Sequence, residues 1–280
     1  MKDEFIFHNS SFILSMARYQ LILAYDGAKL NGSQRQARWS SNPEGKSRDV
    51  SGPRTAQGEL EKALRTIGWT GRSVLIAGRT DSGVHAEGQS VALDLEWPHG
   101  PDKLRAALNA ALPPDLAVRV AREVRSDFHP RFDAASRRYR YRLFCDPARD
   151  PVRERFAWRV WPALDGNALQ SVAPVFLGTH DFAAFGSPTK GPGGSTLRTV
   201  SLSAWTESEG AWQFQVRADA FLYRMVRRLV FVQVMVAQGR LSVEQVKQAL
   251  EAQTRLPAGL APAHGLSLVE VTYADQQEKS

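Results

Sequence analysis

Apolar positions in the first half of the chain change between strand spacing and helix spacing in the order strand, helix, strand, strand, helix, strand. This order is the βαββαβ unit of ferredoxin-like folds. Strands are expected near residues 19–25, 74–77, 91–95 and 116–120, and helices where Leu60, Leu64 and Ile67, and then Leu104 and Leu108, share one apolar face. The 91–95 run alternates as a half-exposed strand does.

The second half of the chain repeats this order. It begins with a strand at 138–144, a helix around Leu169, Val172 and Phe176, and a hairpin of 200–205 with 212–216 that turns at Glu209-Gly210. A helix at 221–237 follows, and then a short helix at which Ser242 and Gln245 have capping-box spacing. A strand at 266–271 completes the half. We therefore predict an α+β fold of two ferredoxin-like (RRM-like) halves, 16–125 and 126–275. A flexible extension at 1–15 precedes them and a tail at 276–280 follows.

The strand at 138–144 separates two kinds of side chain. Its alternation places Tyr139, Tyr141 and Leu143 on one face and three arginines on the other. Tyrosine is common in strands, so the pattern alone favours core packing for both tyrosines.

The candidate chemistry lies in a glycine-bounded loop between two of the predicted strands. Asp81 stands two residues after Arg79, between Gly78 and Gly83, which permit a sharp backbone path close to a ligand. A nearby guanidinium lowers the pKa of a carboxyl, so we expect Arg79 to keep Asp81 ionised, as a nucleophile or base. A solvated ion pair in an ordinary turn is the alternative interpretation.

Composition favours a nucleic acid as partner and excludes two kinds of cysteine site. The chain has 36 Lys and Arg against 29 Asp and Glu, a net charge of +7 and a pI near 9.7. Most of this charge is arginine, which binds phosphates and stacks on bases, so a nucleic acid is favoured, although a membrane surface or solubility alone also explains the charge. The single cysteine, Cys145, excludes an internal disulfide framework and a multi-cysteine metal site.

Two further patterns are incomplete. Gly45–Ser47 is similar to the end of a phosphate-binding loop, yet that motif needs a glycine where Ser40 stands. His85 lies four residues after Asp81, which suggests a metal pair, but the local sequence supplies no second histidine. We therefore expect no metal site. We expect His85 to fix the loop by hydrogen bonding, or to be satisfied within the structure.

Neither residues 1–15 nor the most apolar helix predicts a membrane protein. Residues 1–15 make a poor secretory signal, and the 221–237 segment is short and interrupted by Arg224, Arg227 and Arg228. We expect a cytoplasmic protein without membrane contact.

The string Gly78–Ala86, Gly-Arg-Thr-Asp-Ser-Gly-Val-His-Ala, resembles the active-site segment of the tRNA pseudouridine synthase A family, whose aspartate is the nucleophile. Other family motifs follow in the family's order from about residue 17 to 273, so the resemblance covers most of the chain. They are Tyr25–Gly27, Gly32–Gln36, Thr55–Glu61, Asn109–Val118, Phe128–Phe132, Arg137–Tyr141, His180–Phe182, Phe221–Leu222, Met225–Arg227 and Gly265–Leu266.

The resemblance implies a role for each matched residue. Asp81 is the nucleophile, attacking either the ribose or the uracil ring, and Tyr139 stacks on the base or transfers a proton. Arg79 pairs with Asp81 and helps to displace the target nucleotide from its helix. The matched motifs further imply that Gln34, Arg35, Arg227 and Leu266 bind substrate, as Tyr139 does.

The resemblance also implies the reaction and its setting. Uridines at positions 38, 39 and 40 of the tRNA anticodon arm are isomerised to pseudouridine, without a cofactor, by a homodimer with tRNA bridging its subunits.

Two rival interpretations remain. One is a non-catalytic RNA-binding protein of two RRM-like units, and the other is a metal-dependent phosphoesterase using Asp81 and His85.

The chain departs from the family pattern at several positions, none of them Asp81, Arg79 or Tyr139. Ser82 replaces alanine, Ser33 stands where an aromatic is usual, Arg228 replaces asparagine, Phe231 replaces a common glycine, and residues 37–54 look inserted. These departures concern substrate positioning. The insert and the glycine-rich segment 186–195 are expected to be mobile loops, either bordering the RNA or simply irregular.

Overall fold

In a computed structural model, the structure of the chain is described for residues 16–35, 52–188 and 193–274. The predicted extension at 1–15, the tail at 276–280 and most of the 37–54 insert lie outside the described residues, as does part of the 186–195 segment.

The described residues form ten strands and five α-helices, joined in places by short 3₁₀ turns. In the first half they are β1 Ala17–Tyr25, α1 Ala56–Thr66, β2 Leu75–Ile76, β3 His85–Leu95, α2 Gly100–Ala111 and β4 Leu116–Val124. In the second half they are β5 Ala134–Cys145, β6 Trp158–Val160, α3 Gly166–Val172, β7 Gly178–Asp181, β8 Leu197–Ser208, β9 Ala211–Ala218, α4 Met225–Ala237, α5 Val243–Glu251 and β10 Leu266–Tyr273.

The strands form one mostly antiparallel sheet in the order β4-β1-β3-β10-β5-β9-β8-β7, with β2 paired to β3 and β6 to β5. Strands β4-β1-β3-β2 and strands β10-β5-β9-β8 each have the order of a ferredoxin-like unit, so the predicted α+β fold of two such halves is confirmed. The halves join where β10 lies parallel to β3, with Ser267 opposite His85 and Leu268 opposite Ala86.

Local sequence signals account for several element boundaries. The side chain of Thr55 caps α1 by accepting from the backbone N–H of Gly58, and Ser242 and Gln245 form the predicted capping box of α5. Glu209 and Gly210 both have positive φ, which suits the two-residue turn between β8 and β9. No helix of the described ranges combines the length and apolar content that crossing a bilayer requires.

Three predictions about elements were wrong in part. The 91–95 run is not half-exposed: Val91, Ala92 and Leu93 are all buried, in a part of β3 that lies between β1 and β2 in the sheet. The helix expected from Phe221 begins only at Met225, since Arg224 has a left-handed backbone with φ of 63°. Strands β6 and β7 were not predicted, because each has only three or four residues.

Candidate active site

The loop that carries Asp81 is clamped to the segment following β1. The backbone N–H of Thr80 donates to the Ser33 hydroxyl at 2.8 Å, and the Ser33 N–H donates to the Thr80 carbonyl at 3.2 Å. The Thr80 hydroxyl also bonds the Tyr25 hydroxyl at 2.9 Å. Ser33, where the family resemblance predicts an aromatic, is buried and pairs with the residue next to Asp81.

Glycines allow these two segments to approach closely. A Cβ on Gly32 would lie 2.7 Å from the Thr80 carbonyl oxygen, and Gly32 itself has φ of +91°. Past Asp81, Gly83 has φ of +81°, and its N–H donates to the Leu30 carbonyl at 3.3 Å. The loop therefore has a fixed backbone path on both sides of Asp81.

Asp81 is paired with an arginine of the other half. Its Oδ2 lies 2.9 Å from Nη1 of Arg227 on α4, and the two side chains are only 23% and 16% exposed. Arg227 is fixed in turn, because its Nε donates to the Ala261 carbonyl at 2.8 Å and its own carbonyl accepts from the Ala261 N–H at 3.1 Å. The expected ion pair of Asp81 with Arg79 was wrong: Arg79 is exposed, and within the described ranges the cation facing Asp81 is Arg227.

Tyr139 lies on the buried face of β5, as its alternation predicts. It is 9% exposed, and its ring meets that of Phe221 edge-on, with 5.1 Å between centroids. Burial raises the pKa of Tyr139 above the ordinary value, and the nearby Tyr25 and Asp81 raise it further. The phenol is therefore protonated at neutral pH, which suits a stacking or proton-donating group better than a base.

The remaining predicted binding residues differ in their surroundings. Leu266 is buried at the start of β10, opposite Tyr141 and two residues before the residue that pairs with Tyr139. Gln34 is half-buried beside Ser33.

Arg35 is tied to α1 rather than to the Asp81 loop. Its guanidinium lies 3.2 Å from the Glu61 carboxylate, and its backbone N–H donates to the Gln57 side chain at 3.0 Å. The structure therefore gathers Asp81, Arg227, Tyr139 and Leu266 around the junction of the two halves. Arg35 lies outside this group, in the segment that follows β1.

His85 is a buried hydrogen-bonding residue behind this loop. Its Nδ1 accepts from the Gly27 N–H at 3.0 Å, and its Nε2 lies 3.1 Å from the His264 carbonyl oxygen. Nδ1 is also 3.1 Å from Asp26, a contact that is an ion pair only if the ring is protonated. Burial lowers the pKa of His85, and the Gly27 bond needs an unprotonated Nδ1, so the neutral ring with hydrogen on Nε2 fits best.

The described part of the chain contains no group of three or more His, Cys, Asp or Glu side chains placed to hold a metal ion. A concavity of about 500 Å³ lies away from Asp81, lined by residues that include Cys145, Gln170 and Trp212. Cys145 is six residues along β5 from Tyr139, roughly 20 Å at strand spacing, so this concavity is separate from the Asp81 site.

Sequence reasoning assigned no role to two residues of the site. Ala261 orients Arg227 through its backbone, which no side-chain pattern reveals. Phe221 contacts Tyr139, but its apolar run reads equally well as the first turn of a core helix.

Comparisons with known proteins agree with the motifs. A family model described as tRNA pseudouridine synthase matches residues 28–133 and 172–274. A tRNA pseudouridine synthase A from Methylacidiphilum infernorum is 39% identical over 270 residues, which cover 95% of this chain and 99% of the relative. One from Thermus thermophilus is 38% identical over 266 residues, covering 94% and 99%. One from Solidesulfovibrio magneticus is 40% identical over 268 residues, covering 92% of each.

Proposed function

The chain belongs to the tRNA pseudouridine synthase family, and we propose that it isomerises uridine to pseudouridine in tRNA with Asp81 as the nucleophile. The observation that carries the assignment of Asp81 is its 2.9 Å pairing with Arg227 in a loop of fixed backbone at the junction of the two halves. A nucleophilic carboxylate must be held in place, and the half-buried Arg227 holds this one.

The reaction needs no oxidant or energy source. The bond between N1 of uracil and C1′ of the ribose breaks, the base turns in the site, and a bond between C5 and C1′ forms. The proton on C5 leaves to solvent and N1 gains one, so atoms and electrons balance. Asp81 forms a transient ester with C1′ or a transient bond to the uracil ring, and is released as the carboxylate when the C5–C1′ bond is in place.

The neighbouring residues serve this step. Tyr139, protonated and in edge-on contact with Phe221, stacks on the base or donates a proton to it. Arg227 orients Asp81, and Leu266 and Gln34 line the approach. Arg79 is exposed two residues before Asp81, which supports a role for it in contacting phosphate and extruding the nucleotide, and Arg35 contacts RNA farther out. Stacking of the base on Tyr139 contributes about 1–3 kcal/mol, which offsets much of the few kcal/mol that flipping the nucleotide out of its helix costs.

The test is tritium release from tRNA transcribed with uridine labelled at carbon 5. Wild-type protein is expected to release tritium equally well with and without EDTA. Asp81→Asn, which keeps the size of the side chain, is expected to release none while still binding the RNA. Asp94→Asn is the matched control, because Asp94 pairs with Arg18 at 2.7 Å on another part of the sheet and should leave turnover unchanged.

Three results would count against this assignment. Full turnover by Asp81→Asn would exclude the nucleophile. RNA binding without tritium release from any tRNA would favour the rival, a non-catalytic RNA-binding protein. Loss of turnover in EDTA would favour the metal-dependent chemistry that the Asp81–His85 spacing first suggested.

The finer substrate choice is also part of the proposal. We place the target uridines at positions 38, 39 and 40 of the anticodon arm, and three transcripts that each retain one of these uridines test this directly. We further propose that the protein acts in the cytoplasm, as a homodimer whose subunits share one tRNA. Sedimentation with and without tRNA tests the dimer, and a monomer in both conditions would contradict it.

A further inference from the structure

Tyr223 and Arg224 form an exposed aromatic and cationic pair just before α4. Tyr223 is 48% exposed, and the guanidinium carbon of Arg224 lies 4.7 Å from the centre of its ring. Within residues 16–35, 52–188 and 193–274, no ion pair joins Arg224 to a carboxylate. The pair therefore presents a ring and a positive charge to solvent.

This pair lies at the rim of the Asp81 site. On one side along the chain, Phe221 contacts Tyr139 at 5.1 Å, and on the other side Arg227 pairs with Asp81 at 2.9 Å. Tyr223 is two residues from Phe221, so their Cα atoms are at most about 7 Å apart.

The backbone beneath the pair is held in place. The Tyr223 N–H donates to the Ser187 carbonyl at 2.9 Å, and the Ser187 N–H donates to the Tyr223 carbonyl at 3.4 Å. Leu222 is buried, and a Cβ on Gly186 would lie only 2.7 Å from the Leu222 Cβ, so this contact needs glycine at 186. An exposed ring on a fixed backbone loses little freedom when a ligand stacks on it.

Arg224 has a backbone conformation that is unfavourable for a residue with a Cβ. Its φ of 63° is left-handed, a conformation that costs energy for any residue with a Cβ and that glycine adopts freely. Such strain in folded proteins is concentrated at ligand-binding positions. An arginine here, exposed and without an acidic partner, is therefore explained better by a ligand than by stability.

We propose that Tyr223 and Arg224 form a stacking subsite for the base next to the extruded uridine, with Arg224 also contacting a backbone phosphate. This subsite rests on the proposed tRNA substrate and deepens it. Extruding a nucleotide leaves its neighbours without a stacking partner, and an aromatic ring accepts any base because every base has a π-face. The arginine adds a cation–π contact and a charge for phosphate.

The binding test uses anticodon-arm RNA and the Asp81→Asn background, so that no turnover occurs. In that background Tyr223→Ala is expected to weaken RNA binding by about 5- to 150-fold, the range for loss of one base-stacking aromatic. Tyr223→Phe should bind within about twofold, because the ring is kept. Trp161→Ala is the matched control, since Trp161 is 54% exposed and lies beyond β6, away from the Asp81 loop.

Arg224→Gly separates the ligand role from a structural one. Glycine accepts φ of 63°, so the melting temperature should be unchanged or a few degrees higher. RNA binding should nevertheless weaken, and the slope of log Kd against log salt should fall by about 0.7–0.9, the loss of one phosphate contact. Arg224→Lys should restore that slope.

Several results would overturn the subsite. They are unchanged binding in Tyr223→Ala, equal loss in Tyr223→Phe, equal loss in the Trp161 control, or an unchanged salt slope in Arg224→Gly. Failure of the proposed function would appear separately, as absence of tritium release by the wild-type protein, and would leave the binding series interpretable.

Discussion

At the scale of single residues, Arg227 rather than Arg79 pairs with Asp81. The two roles expected of Arg79, pairing with Asp81 and helping to displace the target nucleotide, therefore belong to different residues. Arg227→Lys cannot keep both the Ala261 bond and the Asp81 contact, because both come from one guanidinium fork. We expect kcat to fall by about 10²-fold, the typical cost of a misplaced reacting group, with little change in melting temperature. Single-turnover kinetics on the labelled tRNA measures this.

Arg79→Lys is the comparison for that variant. A lysine at this exposed position keeps the positive charge but loses the bidentate fork that binds phosphate, so it should raise KM more than it lowers kcat. Equal loss of kcat in both variants would mean that Arg79, rather than Arg227, orients the nucleophile when RNA is bound.

His85 predicts a second residue-level effect, on the pH dependence of stability. Burial lowers its pKa, so the unfolded chain binds a proton near pH 6.5 that the folded chain does not. Stability from this residue is complete above about pH 6.5 and is lost as the pH falls toward the folded pKa, by at most about 1.4 kcal/mol per pH unit. Asp26, Arg155 and the His264 carbonyl surround the ring.

The measurement is urea unfolding of wild type and His85→Asn between pH 7.5 and pH 5.5. Asparagine can still accept from the Gly27 N–H, and it does not titrate. The variant should be less stable at pH 7.5 but should lose less stability on acidification. Some dependence should remain, since burial also lowers the pKa of His264. Identical slopes for both proteins would contradict a neutral buried ring.

At the scale of elements, two departures from the family pattern have a common structural result. Arg228 donates to the carbonyls of Pro257 at 2.5 Å, Gly259 at 3.0 Å and Leu256 at 3.2 Å. The ring of Phe231 packs on Gly259, where a Cβ would come within 2.2 Å of it. Both side chains of α4 thus fix the loop that ends at Ala261, the residue that orients Arg227.

Arg228→Asn is therefore expected to act through Arg227. Asparagine cannot reach three carbonyls, so the loop should loosen and kcat should fall by about three- to tenfold, with some loss of melting temperature. Because the effect passes through Arg227, it should vanish in an Arg227→Ala background, whereas independent effects would add. Arg159→Asn is the control, since Arg159 also bridges backbone carbonyls, of Asp146 and Pro147, and should lower stability without changing kcat.

The elements also show how far sequence reasoning reaches. The sequence predicted the hairpin turn, the capping box and the buried face of β5, because each of these depends on residues that are close in the chain. The start of α4 was not predicted, because the apolar run extends back to Phe221. The helix begins only after Arg224, whose backbone is left-handed. Arg227 was assigned to the site by resemblance, but its contact with Asp81 spans 146 residues, and no local pattern encodes such a pairing.

At the scale of the whole molecule, β10, the last strand of the described residues, joins the two halves. β10 pairs with β5 of its own half and with β3 of the other, and Leu268, fully buried, lies opposite both Tyr139 and Ala86. The predicted boundary between residues 125 and 126 falls between β4 and β5 in the chain. Whether the halves at 16–125 and 126–275 unfold separately depends on this shared strand.

Leu268→Ala tests that question, because it should cost about 2–5 kcal/mol at a position that both halves share. If the sheet unfolds as one unit, amides of β1 and of β9 should lose protection against hydrogen exchange by the same free energy. Leu104→Ala, at a fully buried position in α2, should then also lower protection in both halves. Loss confined to β9 in the first variant and to β1 in the second would instead show two independent domains, and the Asp81–Arg227 pair would then cross a movable boundary.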